Sequence, residues 1–374
     1  MANAEVVQVT TKSEMDEFID LPWKIYANDT NWVPPLKKAV RKLLDPASHP
    51  FWKFSERVLF LARRGSQTVG RIAGILDNNF NSFHNENMGA WGFFECENDP
   101  STAGALFEAV ERWSRDKELS FLRGPFNPST NYEVGLLVEG FQYPPSIMMP
   151  YNPPYYVQLV ESYGFSKEKD LLAVILERNQ KKSDRMERLA RRIGRNKKVE
   201  IRKADKRNFD SEMALIREIY NAAWSKNWGF VPMTDEEMLE MGKEMIRIAD
   251  TDLILFVYYE GEPVGVTVAL PDIGPVLKRL NGKIGLLGIF KALLYKHEIK
   301  GARALAMGFK KTHQGLGLPI LAFDHLVKVW EKKTFDYVEI GWNLEDNYDI
   351  IKIELEFGAR IYKRYRIVRK DLVM

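Results

Sequence analysis

The chain has 374 residues, 45% of them hydrophobic and 28% charged, with a formal net charge of +3; that is enough apolar content for more than one buried core and too little charge to mark a nucleic-acid binder. One cysteine, Cys96, excludes an intramolecular disulfide and fits a reducing compartment, and five scattered histidines form no recognisable metal site. The N-terminus is polar and acidic, unlike a secretory signal, and no run reaches the ~18 to 20 apolar residues of a membrane span, so a folded cytoplasmic protein is expected.

In chain order, the first half opens with helices around Tyr26, Asn31, Trp32, Val33 and Pro34, followed by a strand pair from Val58 to Leu76. A strand through Cys96 then runs into Asp99, Pro100 and Ser101, where Asp99 or Ser101 caps a helix carrying Leu106, Val110 and Trp113. A long apolar, proline-rich passage follows the next strand. It reads two ways: as a functional loop, or as a β-excursion that covers a seam between domains. Its polar candidates for a pocket are Arg123, Asn131, Tyr132, Glu133, Tyr151 and Asn152. Residues 179–200 then form a helix dense in arginine and lysine, either a connector with a solvated basic face or a docking face for an anionic partner.

The second half repeats the first. Trp228 echoes Trp32, Gly265 echoes Gly70 and Gly358 echoes Gly164, at offsets of 196, 195 and 194 residues, in the same order. Such a period is too long for a solenoid and indicates two copies of one α/β unit. Each copy reads as helices, an antiparallel hairpin, a third strand, a helix, a fourth strand, and a last helix leading to a final strand. The second hairpin turns at Glu260 and Gly261. Expected domains are 1–178 and 201–374, the latter interrupted by an insertion at 271–301. In that insertion Leu286, Leu287, Ile289, Phe290, Leu293 and Leu294 are interleaved with Lys278, Arg279, Lys283, Lys291, Lys296 and Lys300. It is either a helix packed on the other domain or an interfacial segment or acyl-pocket lid whose lysines meet lipid phosphates. Beyond it, Gly315 and Gly317 lie between a strand and an amphipathic helix, where backbone N–H groups and the helix N-terminus can hold an anion.

Strand, glycine turn, helix, strand and a helix ending at Phe357 and Gly358 resemble the GNAT acyltransferase superfamily, and the repeat makes the chain a tandem GNAT. The fold class implied is α/β (α+β), with two GNAT-like domains, each a mixed, mostly antiparallel sheet flanked by helices. In that family the turn reads (Gln/Arg)-x-x-Gly-x-(Gly/Ala) and holds the pyrophosphate of coenzyme A; Thr312, Gly315 and Gly317 occupy those places, with Gln314 or Lys311 to replace the missing leading residue and Leu316 between the glycines. Asn347, Ile350, Glu354 and Gly358 keep the spacing of the last helix, but Glu354 stands where a tyrosine commonly protonates the departing thiolate. The resemblance further implies acetyl-CoA or a longer acyl-CoA as co-substrate, no metal, and a backbone N–H near Ala306 or Met307 for the thioester oxygen. Glu339 or Glu354 is then the base, and Tyr362 or Tyr365 the acid. Glu97 and Asp99 put negative charge where the first copy would hold a pyrophosphate, so cofactor binding is expected in the second copy alone.

Whole-chain wording, such as "GRIAGILDNNFN" and "GPFNPSTNYEVGLLVEGFQYPPSIMMPYNPPYY", is similar to a bacterial group of two-lobed N-acyltransferases that includes bacterial ceramide synthases. This resemblance implies a small-molecule or lipid-like amine acceptor, contacted by Asn131, Tyr132 or Glu133, and leaves open a peripheral contact with the inner face of the membrane. Two other readings stand beside it: an aminoacyl-tRNA-dependent peptidyltransferase of tandem GNAT type, in which the basic helix would contact RNA, and a non-catalytic ligand-binding protein.

Overall fold

The computed structural model describes residues 4–178, 180, 183–313 and 315–372. They form two compact units: unit 1 is Met1–Leu171, Leu277–Leu293 and Lys363–Met374, and unit 2 is Leu172–Val276 and Leu294–Tyr362.

The first part of the chain runs β1 (Glu5–Gln8), α1 (Lys12–Ile25), α2 (Lys37–Leu43), β2 (Ser55–Arg64), β3 (Gln67–Asp77), α3 (Asn78–His84), β4 (Met88–Cys96), α4 (Pro100–Asp116) and β5 (Phe121–Gly124). The proline-rich passage supplies β6 (Phe126–Asn127), β7 (Glu133–Val134) and β8 (Leu136–Glu139), followed by α5 (Tyr155–Ser162) and β9 (Ser166–Glu177). Thr11 and Glu14 close a reciprocal capping box at the start of α1, as a Thr-x-x-Glu spacing dictates. The sheet order of unit 1 is β1-β2-β3-β4-β5, then the chain's last strand, β15 (Arg360–Asp371). Trp91, Phe94, Phe107, Tyr156 and Phe165 form its core together with Val368 of β15 and Leu372 just beyond it, and Phe94 stacks on Phe107 at 4.9 Å between ring centres. A carboxylate lies beside this core: Glu95 accepts hydroxyl bonds from Tyr26 and Tyr156, both 2.8 Å, and so ties α1 and α5 to β4.

The second part runs α6 (Asp184–Ile193), β10 (Val199–Lys203), α7 (Phe209–Trp224), α8 (Asp235–Met245), β11 (Ile254–Tyr259), β12 (Glu262–Pro271), α9 (Gly274–Leu280), α10 (Leu286–Tyr295), β13 (Gly301–Phe309), α11 (Leu318–Glu331), β14 (Tyr337–Leu344), α12 (Tyr348–Glu356) and finally β15. Unit 2 has the sheet order β9-β14-β13-β12-β11-β10. Glu260 and Gly261 carry the β11–β12 turn with φ of 51° and 83°, the left-handed pair of a tight hairpin. Helix α6, the basic connecting helix, buries Met186 among Phe323, Val327 and Trp330 of α11.

The compact units are not the contiguous ranges that the repeat suggests. Residues 172–177 of β9 count with unit 2, and Lys363–Met374 count with unit 1, where β15 pairs antiparallel with β5 from Val368↔Gly124 to Asp371↔Phe121. Leu277–Leu293 of the insertion also count with unit 1. Each copy ends in a long strand, and alternation along it does not say which sheet edge such a strand joins.

Candidate functional site

In unit 2, β13 and β14 are parallel, and their ladder runs only from Gly301↔Tyr337 to Ala304↔Ile340. Both strands continue past that point. The remainder of β13 is held on its other side by β12, with Val268↔Ala306, Thr267↔Met307 and Val266↔Gly308, after a bulge at Leu305. One edge of Ala306–Phe309 thus leaves the ladder with β14, and the strands part around an opening. Gly308 is required there because a Cβ would lie 2.2 Å from Trp224 of α7. Thr267, opposite Met307, carries a buried hydroxyl without a hydrogen-bond partner among the described residues.

Beyond β13 the chain makes a short turn at Lys311–His313 and enters α11 through Gly315 and Gly317, at φ of 88° and 72°. Gly317 is the N-cap of α11 and offers no side chain to its first turn; Pro319 carries no N–H and the Ile320 N–H donates to the Gly317 carbonyl at 3.0 Å, so the Leu318 N–H and the helix dipole are what this end presents to an anion. Lys311 adds charge; partial desolvation and the neighbouring Lys226 hold its ammonium below the usual lysine range. Ile193, the last residue of α6, packs on the same turn, since a Cβ on Gly317 would meet its Cδ1 at 2.6 Å. Thr312 bonds His313 Nδ1 at 2.9 Å, Leu316 is exposed, and Gln314 lies outside the described residues. Asn347 is the N-cap of α12 but makes no side-chain cap bond.

Two of the buried carboxyl groups of this unit, Glu339 and Glu354, are candidates for proton transfer. Glu339 lies opposite Arg303 in the β13–β14 ladder, with Arg303 Nε 3.6 Å from its Oε1. Arg303 also donates to the Gly341 carbonyl at 2.9 Å, and the Tyr362 hydroxyl donates to Glu339 Oε2. Glu354, on α12, accepts a 2.9 Å bond from Asn343 Nδ2. Burial pushes its pKa up to about 8, against the lowering effect of Asn343. Near neutral pH Glu354 is therefore chiefly a neutral carboxylic acid able to donate a proton. Asn343 holds Oε2 as an acceptor, which favours the proton on Oε1.

Met307, Thr312, Gly315, Leu316, Gly317, Glu339, Asn347, Glu354 and Tyr362 all lie in unit 2. Tyr365 belongs to unit 1, where it is fully buried and its Cβ would lie 2.9 Å from a Cβ on Gly135. The proline-rich passage is a β-excursion within unit 1. Asn152 is buried in it, bonding Leu137 N at 2.7 Å, Leu137 O at 3.1 Å and Pro153 O at 3.1 Å, so its amide fixes β8. Tyr151 donates to Asp29 at 2.9 Å, and Tyr132 packs edge-on to His49 and Phe51. Asn131 N–H donates to Ser129 Oγ at 3.3 Å, and Glu133 pairs with Asn127 between β6 and β7. Arg123 is held by Glu168 and Glu86 at 2.6–2.8 Å. Sequence reasoning missed Arg303 and Asn343. Arg303 carried a signal, a lone cation inside the apolar strand "ARALAMGF"; Asn343 carried none.

No family model matches the chain. It is 35% identical to "Bacterial ceramide synthase" of Caulobacter vibrioides over 99% of this chain and 98% of that one. It is also 32% identical to "Protein YghO" of Escherichia coli K12, over 96% and 94%. Among solved structures it superposes on a tandem GNAT protein from the clavulanic acid biosynthesis pathway with a TM-score of 0.57, at 13% identity and 99% coverage of both chains. The chain belongs to the tandem GNAT acyltransferase family that includes the bacterial ceramide synthase. It is an N-acyltransferase. As a tandem GNAT it carries the parted strands and glycine turn in its second unit, and no helix among its described residues is long and apolar enough to cross a membrane.

Proposed function

We propose that this N-acyltransferase transfers the acyl group of an acyl-CoA to the amine of a long-chain, lipid-like acceptor, and that the reaction takes place in unit 2. The observation that carries the reading is the β13–β14 ladder that stops at Ala304↔Ile340, beside a glycine turn leading into an uncapped helix. A thioester and its pantetheine arm need an exposed backbone edge, and a pyrophosphate needs donors and positive charge; the edge of Ala306–Phe309, and the Leu318 N–H with the α11 dipole and Lys311, support this reading. The acceptor class comes from the relative: a ceramide is an N-acylated long-chain amine, so its named activity points to an amine that carries a hydrocarbon chain.

The chemistry divides among this chain's own groups. A backbone N–H at Ala306 or Met307 binds the oxygen that becomes negative when the amine adds to the thioester carbonyl. Glu339, coupled to Tyr362, receives the proton that the amine loses as its nitrogen bonds carbon. Glu354 donates the proton that converts the departing thiolate to a thiol as the C–S bond breaks, taking the place of the family's tyrosine.

Calorimetry with CoA and with tRNA, followed by mass spectrometry after incubation with a long-chain acyl-CoA and a long-chain amine, tests the reading. CoA binding at one mole per chain, with amide and free thiol formed together, is expected. Binding of tRNA without CoA, or no amide from any long-chain amine, overturns it.

A further inference from the structure

The insertion is built inside out for a helix that packs on protein. Its base is fixed in unit 1: Trp23 Nε1 donates to Asn281 Oδ1 at 2.7 Å, Lys37 N–H to the Gly282 carbonyl at 3.0 Å, and Lys278 Nζ to the Thr30 carbonyl at 2.7 Å. Gly282, at φ of 80°, has no room for a side chain because Trp23 would lie 2.3 Å from its Cβ. Helix α10 then turns its small face inward. Gly288 is buried against α9, and Ala292 and Tyr295 are half-buried.

Its bulky apolar residues face the other way. Ile289, Phe290, Leu293 and Leu294 are 53–66% exposed, and Ile284, in the turn before the helix, is 48% exposed. Among the described residues, five of the eleven exposed large apolar side chains fall in these eleven positions. An amphipathic helix that serves a core shows water its polar face, and clustered apolar exposure of this kind marks a docking surface. The charge around it selects the partner. Lys283, Lys291, Lys296 and Lys300 are exposed, and Glu298 is the one acidic residue from 283 to 300. A protein partner would need an apolar groove ringed with carboxylates; an anionic lipid bilayer supplies both components at once, with acyl chains for the apolar face and phosphates for the lysines.

We infer that α10 lies in the interface of a membrane rich in anionic phospholipid, with Ile289, Phe290, Leu293 and Leu294 among the acyl chains and the lysines at headgroup level. This goes beyond the proposed reaction and does not depend on it, because the insertion contributes no group to the chemistry assigned to unit 2. It adds a location: acceptor and product that carry hydrocarbon chains could be exchanged directly with the bilayer.

The test uses the full chain without acyl-CoA, so its outcome is separable from that of the reaction. Partition is measured by flotation on vesicles of phosphatidylcholine alone and of phosphatidylcholine with phosphatidylglycerol. Binding to the anionic vesicles, weakened by salt, is expected. A Phe290→Ser, Leu293→Ser variant should lose about tenfold or more in partition at an unchanged melting temperature, because both side chains already face solvent. Lys283→Glu with Lys291→Glu should remove the preference for anionic lipid. Three results would overturn the inference: no partition of the parent protein, equal partition of the serine variant, or light scattering showing that the serine variant splits a dimer, which would make the patch a contact between copies of this chain.

Discussion

In unit 1 the parallel ladder runs Met88↔Phe121, Gly89↔Leu122 and Ala90↔Arg123 and then stops, as the ladder of unit 2 stops after Ala304↔Ile340. Beyond the last ladder pair the two units differ. In unit 1 the opening is filled by the chain itself: the Phe126 carbonyl oxygen of β6 lies 1.7 Å from where a Cβ on Gly92 would be, and Asn127 Oδ1 accepts the Phe93 N–H at 2.6 Å. Phe93 sits at the bulge of β4, the counterpart of the bulge before Ala306 and Met307. The N–H that unit 2 can offer to a thioester oxygen is thus already bonded in unit 1. The helix N-terminus is filled as well. Asp99 accepts Ser101 N–H at 3.1 Å and meets Arg64 at 2.7 Å, whereas Gly317 leaves α11 without a side-chain cap. At the third ladder pair, unit 1 has Ala90 and Arg123 where unit 2 has Arg303 and Glu339. Glu354 has Val160 as its counterpart at the repeat offset, inside the apolar core. The same scaffold keeps its opening where the proposed proton-transfer groups lie and closes it where the chain has none of them.

The comparison breaks most visibly at Glu354. If Glu354 is the acid, Glu354→Gln should lower kcat by about 10²- to 10⁴-fold while the fold is kept, and wild-type kcat should fall as pH rises through about 8. A rate that instead rises through that pH would make Glu354 the base. Stability gives an independent reading. The folded pKa, about 8, is raised above the unfolded value, so this group's contribution is fully present below about pH 4.5 and is lost as pH rises to about 8. Relative to wild type, the glutamine variant should gain melting temperature between pH 6 and 9, since it has no charge to bury.

The turn comes next in size. A Cβ on Gly315 meets nothing within 4 Å, so Gly315→Asp puts a carboxylate beside the α11 N-terminus, imitating what Glu97 and Asp99 do in unit 1. We expect CoA affinity to fall by roughly ten- to a hundredfold, the effect of about 1.5 to 3 kcal/mol. Gly315→Asn, with the same backbone demand and no charge, should lose much less. Equal losses in the two variants would assign the effect to the backbone rather than to electrostatics. Gly317 is unsuited to this test because Ile193 occupies the space its side chain would need.

The parts of this arrangement that were legible in the sequence rest on neighbouring residues. The hairpin at Glu260 and Gly261, the glycines of the second turn, and Asp99 ahead of Pro100 each act within a few positions, and the repeat offset aligned the two copies. Other features depend on distant parts of the chain. Arg303 meets Glu339 only through parallel register, β6 meets Gly92 and Phe93 across more than thirty residues of chain, and burial raises the pKa of Glu354. Similarly, the leucines of the insertion read as core or interface with equal force, because periodicity shows that a helix has an apolar face but not whether that face meets protein or water. Tyr362 and Tyr365 are equally plausible by spacing, yet alternation along β15 and the unit each joins set them apart.

The smallest expected effect separates two ways of closing unit 1. Asp99 caps α4 and also accepts the Thr102 hydroxyl at 2.6 Å; that bond, with the Ser101 N–H and the Arg64 charge, holds its carboxyl below the usual aspartate range. Asp99→Ala should cost about 0.5 to 2 kcal/mol, the usual loss for a helix N-cap, and shift the thermal midpoint by a few degrees at most. Because the folded pKa is depressed, the wild-type contribution is present above about pH 4 and fades as pH falls, so parent and variant should converge in acid. CoA stoichiometry should stay at one per chain, since Phe126 and Asn127 still fill the opening between β4 and β5. A second mole of CoA bound by Asp99→Ala would show that the acidic cap alone had kept the cofactor out, and that β6 is a movable plug rather than a barrier.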